Sequence, residues 1–236
     1  MAGNTRLSEP DVLEIRDLKK SFEQPGGGRL MILDLPQLTV SAGEQVVLIG
    51  QSGGGKTTLL HLIAGISTPD SGSIRIGGTE ITKLSESGRD RFRASTTGYV
   101  FQTFNLLAGF TALENVRLGM SFAAGRHDSA RALSLLERVG LGDRAHYRPA
   151  QLSVGQQQRV AIARSLASRP KLLLADEPTA NVDPASSQTV IDLIRTTCRE
   201  DNVALLLVTH SMDVASQFDR VEQLDSINRA LAKSVA

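Results

Sequence analysis

A lysine that closes a run of glycines is the first place where this sequence could do chemistry. Residues 50–57 read Gly50-Gln51-Ser52-Gly53-Gly54-Gly55-Lys56-Thr57, the G-x-x-x-x-G-K-[ST] spacing of a phosphate-binding loop. Glycines reach backbone angles closed to other residues and leave no side chain in a phosphate's way. The N–H groups of residues 53–57 can then converge on phosphate oxygens, at a helix end that carries partial positive charge. Lys56 would reach the β- and γ-phosphates, and the Thr57 hydroxyl would ligate Mg²⁺. The bland reading is a glycine-rich turn. By composition, the spacing arises by accident on the order of once in a hundred chains of this length, and fitting flanks lower that.

Three other places carry candidate chemistry. Asp176 and Glu177 close the apolar run Leu172-Leu173-Leu174-Ala175, and ligands of open α/β sheets bind at strand carboxyl ends. A carboxylate there can hold Mg²⁺ through water. Neighbours in an extended chain point to opposite faces, so Asp176 would hold the metal while Glu177 orients and deprotonates an attacking water. Alone, an Asp-Glu pair would read as a helix cap or a solvated turn. His210, in Thr209-His210-Ser211, follows the apolar run 203–208 and should emerge at the same sheet edge, within reach of a γ-phosphate. Alone, it would be no more than a helix start. Leu152-Ser153-Val154-Gly155-Gln156-Gln157-Gln158-Arg159 opens another helix, with Ser153 and Gly155 at a second end suited to an anion. A chain with one phosphate loop has no internal need of two such ends. The second phosphate should come from another subunit.

The elements that must position these residues follow from hydrophobic period. Gln45-Val46-Val47-Leu48-Ile49 is nearly all apolar, as a parallel strand covered on both faces would be. Leu59, Leu62, Ile63 and Ile66 fall at i, i+3, i+4, i+7, one face of a helix. Upstream, the polar first ten residues read as mobile. Residues 12–16 alternate as a half-exposed strand, and Phe22, the Pro25-Gly26-Gly27-Gly28 turn and a second strand near residues 38–40 follow. Phe22 either staples that hairpin or offers a face on which a base could stack. Residues 73–76 with the Gly77-Gly78 turn predict a hairpin strand, 84–94 a charged helix, and 99–101 a strand ending at Gln102. Phe104-Asn105-Leu106-Leu107-Ala108-Gly109-Phe110 is either a helix start in a local core or a surface patch for a partner. Residues 111–142 turn helical, with Ala132, Leu135, Leu136 and Val139 as a stripe, and no buried-strand pattern interrupts 113–152. Val160, Ala163 and Ala167 line a face of the next helix, with Ile162 and Leu166 beside them. The strands 172–176 and 203–208, joined by a helix with Val190, Ile191 and Ile194, complete a βαβ unit.

Composition bounds the rest. The 236 residues, 41% hydrophobic and 22% charged, suit one large soluble domain. A net charge of +1 gives no argument for a nucleic-acid partner. The single Cys198 excludes an internal disulfide and reads as packing. No apolar core marks residues 1–10 as a signal peptide, and no run approaches the ~18 apolar residues of a membrane span. The expectation is a cytosolic protein.

Taken together, the motifs resemble those of the ATP-binding-cassette (ABC) ATPases, in the family's order and over nearly the whole chain. Residues 50–57 match Walker A, Gln102 the Q-loop, 152–156 the signature, 172–177 Walker B, Asn181-Val182-Asp183 the D-loop and His210 the switch histidine. The resemblance implies an α/β P-loop NTPase (RecA-like) core with a mostly parallel sheet, an N-terminal antiparallel β-subdomain and an inserted helical subdomain. One domain of residues 1–236 would divide into core plus β-subdomain at about 11–95 and 155–236, and helical subdomain at about 96–154. It implies a head-to-tail dimer with two ATP molecules, each between the Walker A of one chain and the signature of the other. ATP and Mg²⁺ would be held by Phe22, residues 50–57 and Thr58. Thr57, Gln102 and Asp176 would serve the metal, and Lys56, Gln102, Glu177 and His210 the reaction. Ser153, Gly155, Gln156 and Asp183 would act in trans. Phe22 then matches the family's adenine-stacking aromatic.

Within the family, Phe101-Gln102-Thr103-Phe104-Asn105-Leu106-Leu107, Thr111-Ala112-Leu113-Glu114-Asn115-Val116 and Ala175-Asp176-Glu177-Pro178-Thr179-Ala180-Asn181 look most like the lipoprotein-releasing and macrolide-exporting branch. That implies a peripheral subunit on the inner face of the cell membrane, driving an integral permease that docks near residues 102–110. Methionine and polar amino-acid importer ATPases share part of the Q-loop pattern, and a soluble ATPase acting on a scaffold is the other alternative. A GTPase is excluded by the lack of an Asn-Lys-x-Asp motif, and a kinase would leave the signature unexplained. Three departures stand out. Val154 replaces the signature's usual glycine, and the D-loop reads Thr179-Ala180-Asn181-Val182-Asp183 for the branch's Thr-Gly-Asn-Leu-Asp. Val221-Glu222-Gln223-Leu224-Asp225-Ser226-Ile227 lacks the Asp-Gly turn that closes the family's C-terminal hairpin.

Overall fold

The computed structural model describes residues 11–121 and 128–232. The first ten residues, expected to be mobile, and residues 122–127, inside the expected helical stretch, lie outside the described residues. In chain order, β1 (Asp11–Glu23) and β2 (Arg29–Ser41) form a long hairpin, and β3 (Gln45–Ile49) leads through the glycine loop into α1 (Lys56–Ile63). The hairpin β4 (Ser71–Ile76) and β5 (Thr79–Glu80) precedes α2 (Glu86–Thr96) and β6 (Thr97–Val100). Next come α3 (Ala112–Ser121), α4 (Ser129–Arg138) and α5 (Val154–Leu166), then β7 (Leu172–Asp176), α6 (Pro184–Glu200) and β8 (Ala204–Thr209). The described residues end through α7 (Met212–Ala215), β9 (Arg220–Gln223), α8 (Leu224–Ile227) and α9 (Arg229–Ala232).

Two sheets result. An antiparallel sheet has the order β2-β1-β4-β5, and a five-stranded sheet runs β6-β7-β8-β3-β9 with every pairing parallel. Period-two alternation along β3, β7 and β8 divides the core between the faces of the parallel sheet. Val47, Leu173, Ala175, Leu205 and Leu207 pack with residues of α3, α4, α5 and α6. Val46, Leu48, Leu172, Leu174 and Leu206 pack with α1 and the antiparallel sheet. Both faces are covered, which is why these strands read as unbroken apolar runs. Cys198 is buried in the first of these clusters, where desolvation pushes its thiol up to about 12.

The structure corrects two expectations. Thr97–Val100 pairs in register with β7, so the helical block opens after it rather than at residue 96. The α1 stripe stops at Ile63: Gly65, at φ 66, ends the helix and leaves Ile66 48% exposed. Where the Asp-Gly turn is missing, β9 is followed among the described residues by the short helices α8 and α9. Among the described residues no helix is long and apolar enough to cross a membrane.

Candidate nucleotide site

The glycine loop, the ends of β7 and β8, and the β1–β2 hairpin meet around a cavity of about 460 Å³. Ser52, Gly53, Gly55, Lys56, Thr57 and Thr58 line it, with Phe22, Gln102, Asp176, Glu177 and His210. Gly53 (φ 79) and Gly55 (φ 91) take left-handed backbone angles, and α1 starts from Gly55 with no side chain capping its first N–H groups. Those donors are left to a ligand. The buried Lys56 ammonium donates to the Gly50 and Gln51 carbonyls at 2.7 and 2.8 Å. Gly50 and Gln51 line a neighbouring cavity of about 300 Å³, and Gly54, whose N–H donates to the Gln51 carbonyl, lines neither.

The end of β7 separates the two carboxylates: Asp176 is its last residue and Glu177 lies beyond it. Asp176 shares its face with Leu172 and Leu174, the side on which α1 packs, and its carboxylate meets the Thr57 hydroxyl. Burial pushes the Asp176 carboxyl up and the Glu177 charge adds to it, while Thr57, His61 and Tyr99 pull the other way. The Asp176 Oδ1 is buried without a hydrogen-bond partner, and the Tyr99 hydroxyl lies 3.5 Å from Oδ2. An orphaned carboxylate oxygen beside a threonine hydroxyl fits a hard cation. Among the described residues no three His, Cys, Asp or Glu side chains cluster as a metal site, so such a cation would depend on phosphate oxygens for the rest of its shell.

Glu177 leaves the strand at φ 45, an uncommon angle for a residue with a Cβ, with its N–H on the Val208 carbonyl at 3.0 Å. Its side chain is bound at both oxygens. The Thr209 hydroxyl donates to Oε2 at 3.0 Å, and His210 Nδ1 lies 2.8 Å from Oε1. His210 is exposed and Thr209 is buried. Phe22 is 47% exposed at the cavity rim, with the Lys20 ammonium 5.3 Å from its ring centre.

The ABC transporter family model matches residues 33–180. The chain belongs to the ABC transporter family. This cassette is 47% identical over 220 residues to the lipoprotein-releasing system ATP-binding protein LolD 2 of Caulobacter vibrioides, covering 92% of this chain and 96% of that one. The LolD protein of Pseudomonas fluorescens is 44% identical over the same shares of the two chains. Among solved structures, the dimeric post-hydrolysis ATP-binding cassette MJ0796 bound to ADP and Pi is similar, with TM-score 0.80 and 34% identity over 89% of this chain and 93% of that one. The protein is an ABC ATPase that binds and hydrolyses ATP.

The remaining residues that the sequence pointed to lie away from this cavity. Ser153, Gly155, Gln156 and Asp183 do not line the cavity. Ser153 caps α5 in a reciprocal box: its Oγ accepts from the Gln156 N–H at 3.3 Å, and Gln156 Oε1 accepts from the Ser153 N–H at 2.9 Å. Gly155 is buried because α6 starts on top of it, where an added Cβ would lie 3.3 Å from Ser186 Cβ. Val154, the departure from glycine, points outward at 45% exposure. Asp183 caps α6 through the Ser186 N–H at 2.9 Å.

Side-chain hydrogen bonds join these parts of the cassette. Asn181 Nδ2 donates to the Gln102 carbonyl at 2.8 Å, and the buried Gln158 of α5 donates to the Pro178 carbonyl at 2.7 Å. Arg164, at the far end of α5, holds the Phe104 and Asn105 carbonyls at 2.8 and 2.6 Å. The segment 104–110 is neither helix nor strand. Leu107 and Phe110 are 44% and 40% exposed, and the buried Asn115 side chain donates to the carbonyls of Leu107, Phe110 and Thr111. Beside it, a 320 Å³ groove is lined by Phe110, Glu114, Arg117 and Leu118. Sequence reasoning passed over Ile32, which lines the nucleotide cavity, and the contact from Thr209 to Glu177. Thr209 left a faint signal. A hydroxyl closing an all-apolar strand is buried and must find a partner.

Proposed function

We propose that this chain is the ATPase subunit of a lipoprotein-releasing type of transport system and works as a head-to-tail dimer on the inner face of the cell membrane. The observation that carries it is the division of the site. The phosphate loop, Asp176, Glu177 and His210 share one cavity, whereas the exposed Ser153 and Asp183 can meet a nucleotide only across an interface. The LolD relatives, whose printed names give a lipoprotein-releasing system, support the branch. Leu107, Phe110 and the adjoining groove are the surface for a membrane permease, held to α5 by Arg164.

In this reading Phe22 stacks on adenine, and the N–H groups of residues 53–57 with Thr58 take the phosphates. Lys56 exchanges the carbonyls of Gly50 and Gln51 for β- and γ-oxygens. Thr57, Gln102 and Asp176 would hold Mg²⁺, which when bound offsets charge on the phosphates. Glu177 orients a water in line with the γ-phosphorus and takes its proton as the bond to the β–γ bridging oxygen breaks, giving ADP and phosphate. His210 turns from Glu177 Oε1 to the γ-phosphate, freeing one carboxylate oxygen for that water. Ser153 and Gln156 of a second copy give the γ-phosphate its remaining donors.

The test uses tagged Glu177→Gln in detergent-solubilised native membranes with ATP and Mg²⁺. A dimer should form, hydrolysis should fall by about 10²–10⁴-fold, as expected for a lost general base, and an integral membrane protein should co-purify in stoichiometric amount. A soluble dimer without a membrane partner would overturn the transport reading, and near-normal turnover would remove Glu177 as the base.

A further inference from the structure

The sequence departs from its family at residues 221–227, and the structure brings that departure against the phosphate loop. Leu224 is wholly buried. A Cβ added to Gly50 would lie 3.3 Å from Leu224 Cβ and 3.4 Å from Asp225 Oδ1, so α8 rests on the loop's first residue. Asn228, 1% exposed, follows at the end of α8. Its Oδ1 accepts from the Asp34 N–H and its Nδ2 donates to the Ile32 carbonyl, each at 2.8 Å. The same Oδ1 accepts from the Ala230 N–H at 3.2 Å.

Asp34 and Ile32 belong to β2, the edge strand of the antiparallel sheet. An edge strand presents backbone groups that need partners. The Asn228 amide meets two of them as the peptide group of a neighbouring strand would. The strand held this way is the one on which the other end of the loop packs. Ile32 lines the nucleotide cavity, and a Cβ added to Gly55 would fall 2.9 Å from Ile32 Cγ2 and 3.3 Å from its carbonyl oxygen. The C-terminal segment therefore touches the loop's first residue directly and its last glycine through one strand.

We propose that residues 224–230 form a clasp on the phosphate loop, and that Asn228 is a positioning residue for nucleotide binding. A loop with glycine at 50, 53, 54 and 55 has wide conformational freedom of its own. Its affinity falls in proportion to the fraction of time it holds the binding shape. The β2 edge, fixed by the Asn228 amide, and α8, seated on Gly50, restrict the loop to that shape. The clasp rests on the reading of the cavity as the ATP site.

The test is Asn228→Ala, with fluorescent ADP as probe in the absence of Mg²⁺. If the loop holds its binding shape a tenth as often, Kd rises about tenfold. The KM for ATP should rise with it while kcat falls by less than twofold, and deuterium uptake in a peptide covering residues 50–57 should increase. An asparagine with a merely structural role would lower Tm and leave Kd, KM and that uptake unchanged, which would overturn the proposal. Leu224→Val removes one methylene from the buried side chain that seats α8 beside Gly50, and serves where Asn228→Ala does not fold. It is expected to raise Kd about twofold, the mark of a binding shape held half as often, and an unchanged Kd overturns the clasp. An unmutated chain that binds no ADP overturns the nucleotide reading itself, before any variant is compared.

Discussion

Helices α1 and α5 both begin at a place suited to an anion, and they are satisfied in opposite ways. At α1 the preceding residue is Gly55 at φ 91, and no side chain takes the first N–H groups. At α5, Ser153 and Gln156 take each other's N–H groups in a closed box. The first end carries donors that only a ligand or water can meet, so the chain alone leaves it incomplete. The second is stable as it stands, and its serine hydroxyl still has hydrogen-bonding capacity to offer outward. A phosphate would thus complete α1, whereas at α5 it would add to an end already formed. In the proposed dimer, a site divided in this way would take up nucleotide in one subunit and withhold reaction until a second arrives.

Ser153→Ala is the sharpest way to break the comparison. If Ser153 serves a partner's nucleotide, hydrolysis by the dimer should fall about 10²–10³-fold, as for a lost transition-state donor. Nucleotide binding by the monomer should not change, and loss of the cap should lower stability by about 0.5–2 kcal/mol. Steady-state turnover, equilibrium binding and thermal unfolding measure the three effects. Monomer binding weakened as much as turnover would place Ser153 in its own chain's site.

Phe22→Ala probes the opposite rim of the α1 site. A stacked aromatic contributes about 0.5–1.5 kcal/mol beyond its buried area, so Kd for ATP should rise about two- to tenfold. Pyrophosphate has no base and should bind as before. Equal losses for both ligands would reduce Phe22 to a staple of the β1–β2 hairpin.

The smallest effect concerns Asp176. Burial raises its pKa in the folded chain above the ordinary 3.8, so folding favours the protonated form. The stability linked to this group is complete below about pH 4 and is lost as pH rises through the raised value. Asp176→Asn removes the penalty and should raise the Tm of the ligand-free chain at neutral pH, by about 2–4 °C per kcal/mol relieved. Mg²⁺ with ADP should then stabilise the variant no more than ADP alone. A lower Tm at neutral pH would show that the ionised Asp176 is compensated within the chain.

The phosphate loop was legible because its chemistry is local: glycines, lysine and threonine at fixed spacing between a strand and a helix. The strands 45–49 and 172–176 were legible because burial on both faces leaves an unbroken apolar run. Residues 97–100 were harder. Gly98 has no side chain to mark a strand, yet an added Cβ there would collide with the Ser165 carbonyl. The stripe of α1 was read three residues too far because Ile66 fits the period, while Gly65 ends the helix.

By itself, the sequence determined which residues could hold phosphate, metal and water, because those demands are met by residue type and short spacing. It also determined the two-faced parallel sheet, through period and length. Only the tertiary structure decided that Thr209 and His210 divide the oxygens of Glu177, and that Ile32 walls the cavity. Only it brought Asn228 to the edge of β2, 194 positions from the Asp34 amide in the chain. These are contacts between distant segments, each a single polar group finding its partner. No spacing or period records such a contact before the chain folds.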